Sequence, residues 1–186
     1  SHLELFGTWL SQYAGPRTRA VDVGTGCGVL AMMLAKAGFE RVLATDINPN
    51  AIESVRNDVQ KLATAPPIDA VCGDLLAPLS RPVDLIVFNP PWLQGRIDGL
   101  IDRALHYDEG FFERFFDQAS ARLNPDGRIV VVFSNVGELL QPHLPNPILR
   151  ELERGRLRLV QMMHRRVKPP PNEQGKRRRT QEKVQV

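Results

Sequence analysis

The sequence predicts an α/β fold built on a doubly wound, mostly parallel sheet of about seven strands. Three observations predict it. Short apolar runs alternate with segments of helical spacing along the chain. The runs read as strands are apolar almost throughout, as in a sheet buried on both faces. A glycine-rich turn, Gly24-Thr25-Gly26-Cys27-Gly28, joins the first strand to the next helix, the place where doubly wound sheets bind nucleotide-like ligands.

The elements follow in order. Leu3 to Tyr13 carries apolar residues at near-helical spacing, and Gly15-Pro16 ends it. Arg19 to Val23 reads as the first strand. Gly28 to Ala37 reads as a helix with Gly38 as its stop. Arg41 to Thr45 is the second strand. Asn48 suits an N-cap and Pro49 the first helical position, with Ile52, Val55, Val59 and Leu62 continuing the helix until Ala65-Pro66-Pro67. Ala70-Val71-Cys72 is a short third strand, and Val83 to Phe88 is a fourth, apolar except for Asp84. Residues 93–109 read as an irregular loop long enough to be functional. Phe111, Phe112, Phe115, Phe116, Ala119 and Leu123 mark one helix face. Asn124-Pro125-Asp126-Gly127 is a turn. Arg128 to Phe133 is the fifth strand. A weak helix lies within 136–154, interrupted near Pro142, Pro145 and Pro147. Leu157 to Met163 alternates as a sixth strand, residues 167–179 form an extended basic loop, and Lys183 to Val186 begins a final strand.

With 186 residues, 42% hydrophobic and 24% charged, the chain is read as one globular domain over 1–186. It comprises an N-terminal helix at 1–17, a core at 18–163, and a basic loop with a truncated final strand at 164–186. No apolar run reaches the roughly 18 residues of a membrane span, and Ser1 to Phe6 has no signal-peptide character. The chain begins with Ser rather than Met, which reads as processing or truncation. Two cysteines, Cys27 and Cys72, without a CxxC or HExxH pattern, give no metal site and suit a reducing cytoplasm.

The net charge of +3 is uneven. Residues 164–186 hold eight Lys or Arg against two acids, leaving 16 basic and 19 acidic residues elsewhere. A basic end fits a polyanion such as RNA; a solvated loop accounts for it equally well.

The turn decides the ligand class. A dinucleotide fingerprint, G-x-G-x-x-G, needs Gly at position 29, where this chain has Val29. That disfavours a nicotinamide-dependent oxidoreductase. Val21-Asp22-Val23-Gly24-Thr25-Gly26-Cys27-Gly28 instead resembles the first motif of class I S-adenosylmethionine-dependent methyltransferases. The resemblance implies that the turn wraps the methionine part of S-adenosylmethionine, that Asp22 holds its amino group, and that Cys27 lines the site. Asp46, closing the second strand, suits both ribose hydroxyls, with Ile47 against the adenine. Asp74 matches the family position that meets the adenine amino group, and Leu75 the backbone contact beside it.

Asn89-Pro90-Pro91-Trp92 follows the fourth strand directly. The Asn89 side-chain oxygen and the Pro90 carbonyl are two acceptors able to hold the two N–H groups of a target nitrogen. The prolines stiffen their placement, and Trp92 can stack on a planar group. The tetrapeptide resembles the NPPY-type motif of enzymes that methylate base amines or glutamine amides, with Trp where Tyr or Phe is usual. From Asp22 to Asn135 the chain looks most like the methyltransferase small domain group. That resemblance implies a Rossmann-like methyltransferase fold with an antiparallel last strand, S-adenosylmethionine as cofactor, and a base or glutamine nitrogen as acceptor; the basic end favours an exocyclic nitrogen of a base in rRNA or tRNA. A protein glutamine remains the alternative acceptor. A catalytically silent RNA- or protein-binding scaffold remains a further alternative, although it predicts damage to a turn and a tetrapeptide that are both intact. His106, Tyr107, Arg96 and Arg103 are further loop residues within reach of a substrate or simply at the surface, and Trp9 suits core or lid packing.

Overall fold

The structure is a computed structural model and describes residues 2–62, 66–166 and 183–185. They fall into two compact units, one of Leu10–Asn89 and Phe115–Val131, the other of Ser1–Trp9, Pro90–Arg114 and Val132–Val186.

The elements begin with α1 (His2–Ser11), β1 (Arg19–Val23), α2 (Val29–Lys36), β2 (Arg41–Asp46), α3 (Pro49–Gln60), β3 (Ile68–Cys72) and β4 (Val83–Phe88). After β4 come β5 (Leu93–Gln94), α4 (Leu100–Leu105), β6 (His106–Tyr107), α5 (Phe111–Ser120) and β7 (Leu123–Val131). The chain ends with β8 (Phe133–Ser134), α6 (Val136–Leu140), α7 (Pro147–Glu153), β9 (His164–Arg166) and β10 (Lys183–Gln185).

The first unit is built on a five-stranded sheet of order β3-β2-β1-β4-β7, parallel at every pairing. Its order reverses between β1 and β4, the switch point outside which doubly wound sheets bind ligands. Burial explains why these runs pair. All six residues of β4 are buried, and Val21, Val23, Leu85 and Ile86 have no more than 0% exposure. Burial of each such side chain contributes roughly 1.5–3 kcal/mol. The exception, Asp84, is 5% exposed but fully engaged: Oδ2 accepts from the Thr18 and Arg19 amides at 3.0 and 2.9 Å, and Oδ1 from Asn124 Nδ2 at 2.7 Å. The Phe face of α5 supplies Phe115, whose ring centroid lies 4.3 Å from that of Phe88. α3 begins as its residues dictate: Asn48 Oδ1 accepts from the Asn50 amide at 3.0 Å, with Pro49 in the first turn.

The second unit contains a three-stranded sheet, β8-β10-β9, in which β10 runs antiparallel to both neighbours, and a parallel two-residue ladder between β5 and β6. Glu151 of α7 is 3% exposed and charged, matched by Arg156 at 2.8 Å and Arg154 at 3.7 Å.

Several expectations need correction. A single seven-stranded sheet is not what pairs, because the strands divide between the five- and three-stranded sheets. The expected fifth strand is interrupted at Val132 into β7 and β8. Asn124-Pro125-Asp126-Gly127 does not separate helix from strand; it is an excursion inside β7. Val83 pairs with Leu123 and Leu85 with Arg128, so the four residues between bulge out, with Asp126 at φ 63°. Residues 93–109 are not irregular throughout, since they hold β5, α4 and β6. The helix within 136–154 is interrupted at the prolines as expected, and the interruption divides it into α6 and α7. β3 begins two residues earlier than expected, at Ile68. The sixth strand is not at 157–163. Register places His164 opposite Gln185, and residues 157–163 have no ladder partner among the described residues, with Leu159, Val160 and Met162 exposed. Alternation alone does not make a strand without a neighbour to bond. The loop expected at 167–179, Ala65 and Val186 lie outside the described residues.

Candidate active site

The glycine turn follows β1 and Asn89 follows β4, so both stand at the carboxyl ends of the two strands that flank the switch point. Asp22 is 1% exposed. Its Oδ2 accepts from Thr25 Oγ1 at 2.6 Å and from the Ala31 amide at 3.0 Å. Ala31 is the third residue of α2, and the N-cap Gly28 has no side chain to cap with. Asp22 therefore supplies the cap from the preceding strand, satisfying an amide that a helix start leaves free. Its other oxygen, Oδ1, is buried with no hydrogen-bond partner. Burial pushes the Asp22 carboxyl up to about 7, helped by the nearby Asp46 charge and opposed by the hydrogen bonds from Thr25 and Ala31.

Asp46 holds the turn itself. Oδ2 accepts from the Gly26 amide at 2.9 Å and Oδ1 from the Asn48 amide at 2.8 Å. The Thr25 amide donates to the Thr45 carbonyl at 2.9 Å. Two glycines need their identity for different reasons. Gly26 has φ +54° and nothing within 4 Å of where a Cβ would stand; its backbone faces open space. Gly28 has φ +77°, and a Cβ there would come 2.8 Å from Val55 Cγ2 of α3, so its bareness lets two helices approach. Cys27 is exposed.

Ile47 is half-buried, its carbonyl 3.6 Å from Cys72 Sγ. Asp74 is exposed. Leu75 is buried at φ 49°, a left-handed conformation that costs a non-glycine residue about 1–2 kcal/mol. The Thr45 hydroxyl donates to its carbonyl at 2.9 Å. Sequence reading missed Thr45, and it named Leu75 for a backbone contact without foreseeing its left-handed conformation. A buried threonine in an apolar strand was the available signal for the first; nothing in the identity of Leu75 announces its backbone.

Asn89 is half-buried, with Oδ1 buried and unpartnered. Asp22, the glycine turn, Asp46, Ile47, Asp74, Leu75 and Asn89 all belong to one unit, whereas Pro90, Pro91 and Trp92 belong to the other. There Pro90 is buried, and the Trp92 indole donates to the Val132 carbonyl at 3.4 Å and meets His2 edge-on at 6.2 Å. A Cβ on Gly137 would come 2.8 Å from the Trp92 carbonyl. Of the other loop residues, Arg96 is exposed and paired with Asp98 at 2.7 Å, Tyr107 is buried against Phe112, and the buried Nδ1 of His106 has no partner. The side chain of Arg103 lies outside the described set. Trp9 is core, stacked on Phe6 at 6.1 Å.

The model of the methyltransferase small domain matches residues 5–146, most of the chain and every residue from Asp22 to Trp92. The chain belongs to the methyltransferase small domain family. Among relatives of this family member, the ribosomal RNA small subunit methyltransferase C of Chromohalobacter salexigens is 36% identical over 130 residues, 70% of this chain and 35% of that one. The tRNA1(Val) (adenine(37)-N6)-methyltransferase of Bacteroides fragilis is 28% identical over 135 residues, 69% of this chain and 56% of that one. The ribosomal protein L11 methyltransferase of Exiguobacterium sibiricum is 39% identical over 80 residues, 43% of this chain and 25% of that one. The chain thus spans a quarter to just over half of the length of these relatives. Among solved structures, an rRNA methylase from Streptococcus thermophilus aligns over 100% of this chain and 95% of its own, with TM-score 0.63 and 14% identity. A candidate methyltransferase from Streptococcus mutans, in complex with S-adenosylhomocysteine, aligns over 100% and 96% with TM-score 0.61 and 16% identity. These likenesses show a Rossmann-like methyltransferase fold.

Proposed function

We propose that the chain is an S-adenosylmethionine-dependent N-methyltransferase acting on an exocyclic nitrogen of an RNA base. One observation carries this reading. Two buried acceptor oxygens, Asp22 Oδ1 and Asn89 Oδ1, have no partner among the described residues, and both stand at the switch point beside a glycine turn that opens at Gly26. A buried acceptor left unpaired costs about 1–3 kcal/mol, so the fold keeps both ready for donors from outside.

The residues fit the cofactor. Asp22 Oδ1 offers a carboxylate to an ammonium group. Asp46 spends one lone pair per oxygen on amides and retains others for the ribose hydroxyls. Ile47 and Leu75 offer apolar and backbone contact for the adenine, and exposed Asp74 an acceptor for its amino group. Thr25, Cys27 and the backbone of Gly24, Gly26 and Gly28 line the methionine part. When bound, S-adenosylmethionine supplies an electrophilic methyl group.

Asn89 Oδ1 accepts one N–H of the target nitrogen and orients it. The carbonyl of Pro90, next in the chain, is the second acceptor, with Pro91 stiffening the segment and Trp92 the aromatic for a planar base. As the nitrogen becomes cationic, acceptors already in place stabilise the charge without reorganising. No strong general base is needed, because the proton leaves from an acidified ammonium. The RNA relatives and the basic residues of 164–186 support RNA as substrate. The L11 methyltransferase relative supports a second reading, a protein substrate, for which a glutamine side-chain amide could be held by the same acceptors. We further propose a cytoplasmic enzyme; no described helix is long and apolar enough to cross a membrane.

Incubation with tritiated S-adenosylmethionine and extract of a strain lacking the gene, followed by separation of RNA from protein, tests the reading. Label in RNA supports it. Label confined to protein selects the second reading, and label in neither sinks both.

A further inference from the structure

The connection from β3 to β4, residues 73–82, contains turns and no helix. Parallel crossovers usually run through a helix that covers the sheet. Here the first unit keeps a cavity of about 650 Å³ at the opposite end of the strands from the glycine turn, lined by Leu43, Val71, Arg19, Arg41, Arg56 and Arg81.

Arg19 and Arg41 open β1 and β2 and are register partners, so they lie on the same side of the sheet. Arg56 of α3 donates Nε and Nη2 to the Ala70 carbonyl at 3.0 and 2.6 Å. Ala70 also lines the cavity, so this guanidinium is fixed at its wall. Asp69 is the one acid among the lining residues. Arg19, Arg41 and Arg81 have no ion pair among the described residues. Arginines gathered round a concavity without matching carboxylates repel one another and concentrate anions. Guanidinium groups match phosphate oxygens in paired hydrogen bonds, and half-buried Leu43 and Val71 give an apolar floor for a sugar or base.

We propose that this cavity is a phosphate-binding subsite for the single-stranded RNA that flanks the target nucleotide. The proposal rests on the RNA reading above and extends it to a second contact. Strands of five or six residues separate the two ends of the sheet by about 17–20 Å. That is on the order of five or six stacked nucleotides at ~3.4 Å each. An RNA that reaches both places must therefore extend well past the modified base, and a mononucleotide cannot.

The test is fluorescence anisotropy with a labelled single-stranded RNA of about fifteen nucleotides, titrated over a range of KCl concentrations. The double variant Arg41→Gln/Arg81→Gln should bind at least tenfold more weakly, and its log K against log salt should flatten by about 1.4, from ~0.7 per lost contact. Arg150→Gln, at an exposed arginine of α7 in the other unit, should change affinity less than twofold. S-adenosylhomocysteine affinity, read by calorimetry, should be unchanged in all three proteins, which shows that the variants fold and separates this proposal from the cofactor reading. The proposal is overturned if the wild type does not bind the RNA, or if the double variant binds within twofold of it. It is equally overturned if Arg150→Gln loses as much, or if adenosine monophosphate displaces the RNA at micromolar concentration, which would make the cavity a mononucleotide site.

Discussion

The Gly26 amide donates to Asp46 Oδ2 at 2.9 Å, tying the turn after β1 to the last residue of β2. The second oxygen of the same carboxylate holds the Asn48 amide at 2.8 Å, ahead of α3. One side chain thus fixes two loops at the carboxyl end of the sheet before any ribose is present. Hydrogen bonds to a charged group contribute about 1.5–3 kcal/mol each. Asp46→Ala should weaken S-adenosylhomocysteine binding by at least tenfold in calorimetry. Undiminished affinity would show that the carboxylate neither shapes the turn nor meets the ligand.

Gly28 and Gly26 should separate stability from binding. A Cβ at 28 lies 2.8 Å from Val55 Cγ2, so Gly28→Ala adds a clash to a left-handed strain of about 1–2 kcal/mol. Urea unfolding should show a loss of roughly 2 kcal/mol or more, partly recovered in Gly28→Ala/Val55→Ala. Gly26→Ala meets no neighbour and should lose less stability while weakening cofactor binding more.

If Asp22 meets the cofactor as proposed, binding should depend on pH. Its folded pKa of about 7 stands above the ordinary 3.8, so the unfolded chain deprotonates first and this group's contribution to stability falls as pH rises from about 4 to 7, then levels. An ammonium at Oδ1 favours the carboxylate, so binding competes with the proton below 7. S-adenosylhomocysteine affinity should rise between pH 5.5 and 7, at most about tenfold per pH unit, and flatten above. Asp22→Asn should remove the dependence; a flat wild-type profile would contradict the contact.

Asp84 is a structural acid at the far end of β4, holding Thr18, Arg19 and Asn124. Asp84→Ala leaves three part-buried donors without their acceptor, each at a cost of up to about 1–3 kcal/mol. Thermal unfolding should shift down by many degrees, while the folded fraction retains its cofactor affinity.

Much of the fold was legible because β1 and β4 are buried almost throughout and are mostly apolar, and because Asn48-Pro49 starts α3 by local chemistry alone. Legibility failed where pairing decides. Leu157–Met163 alternates like a strand, yet β10 pairs with β8 and with His164–Arg166 and not with these residues. Asn124–Gly127 reads as a terminating turn and is instead a bulge, because Leu123 already pairs with Val83. At the site, residue types announced Asp22, Asp46 and Asn89. They did not announce that Asp22 caps α2 or that Asp46 fastens Gly26, since both roles depend on strands brought together from distant parts of the chain.

The most direct measurement is tritium transfer from S-adenosylmethionine to RNA by the wild type and Asn89→Ala at saturating cofactor. The account predicts transfer by the wild type and a loss of about a thousandfold or more in the variant, on the scale of removing a preorganised group that stabilises developing charge, with S-adenosylhomocysteine affinity kept within about threefold. Transfer by Asn89→Ala at a rate near that of the wild type would contradict it.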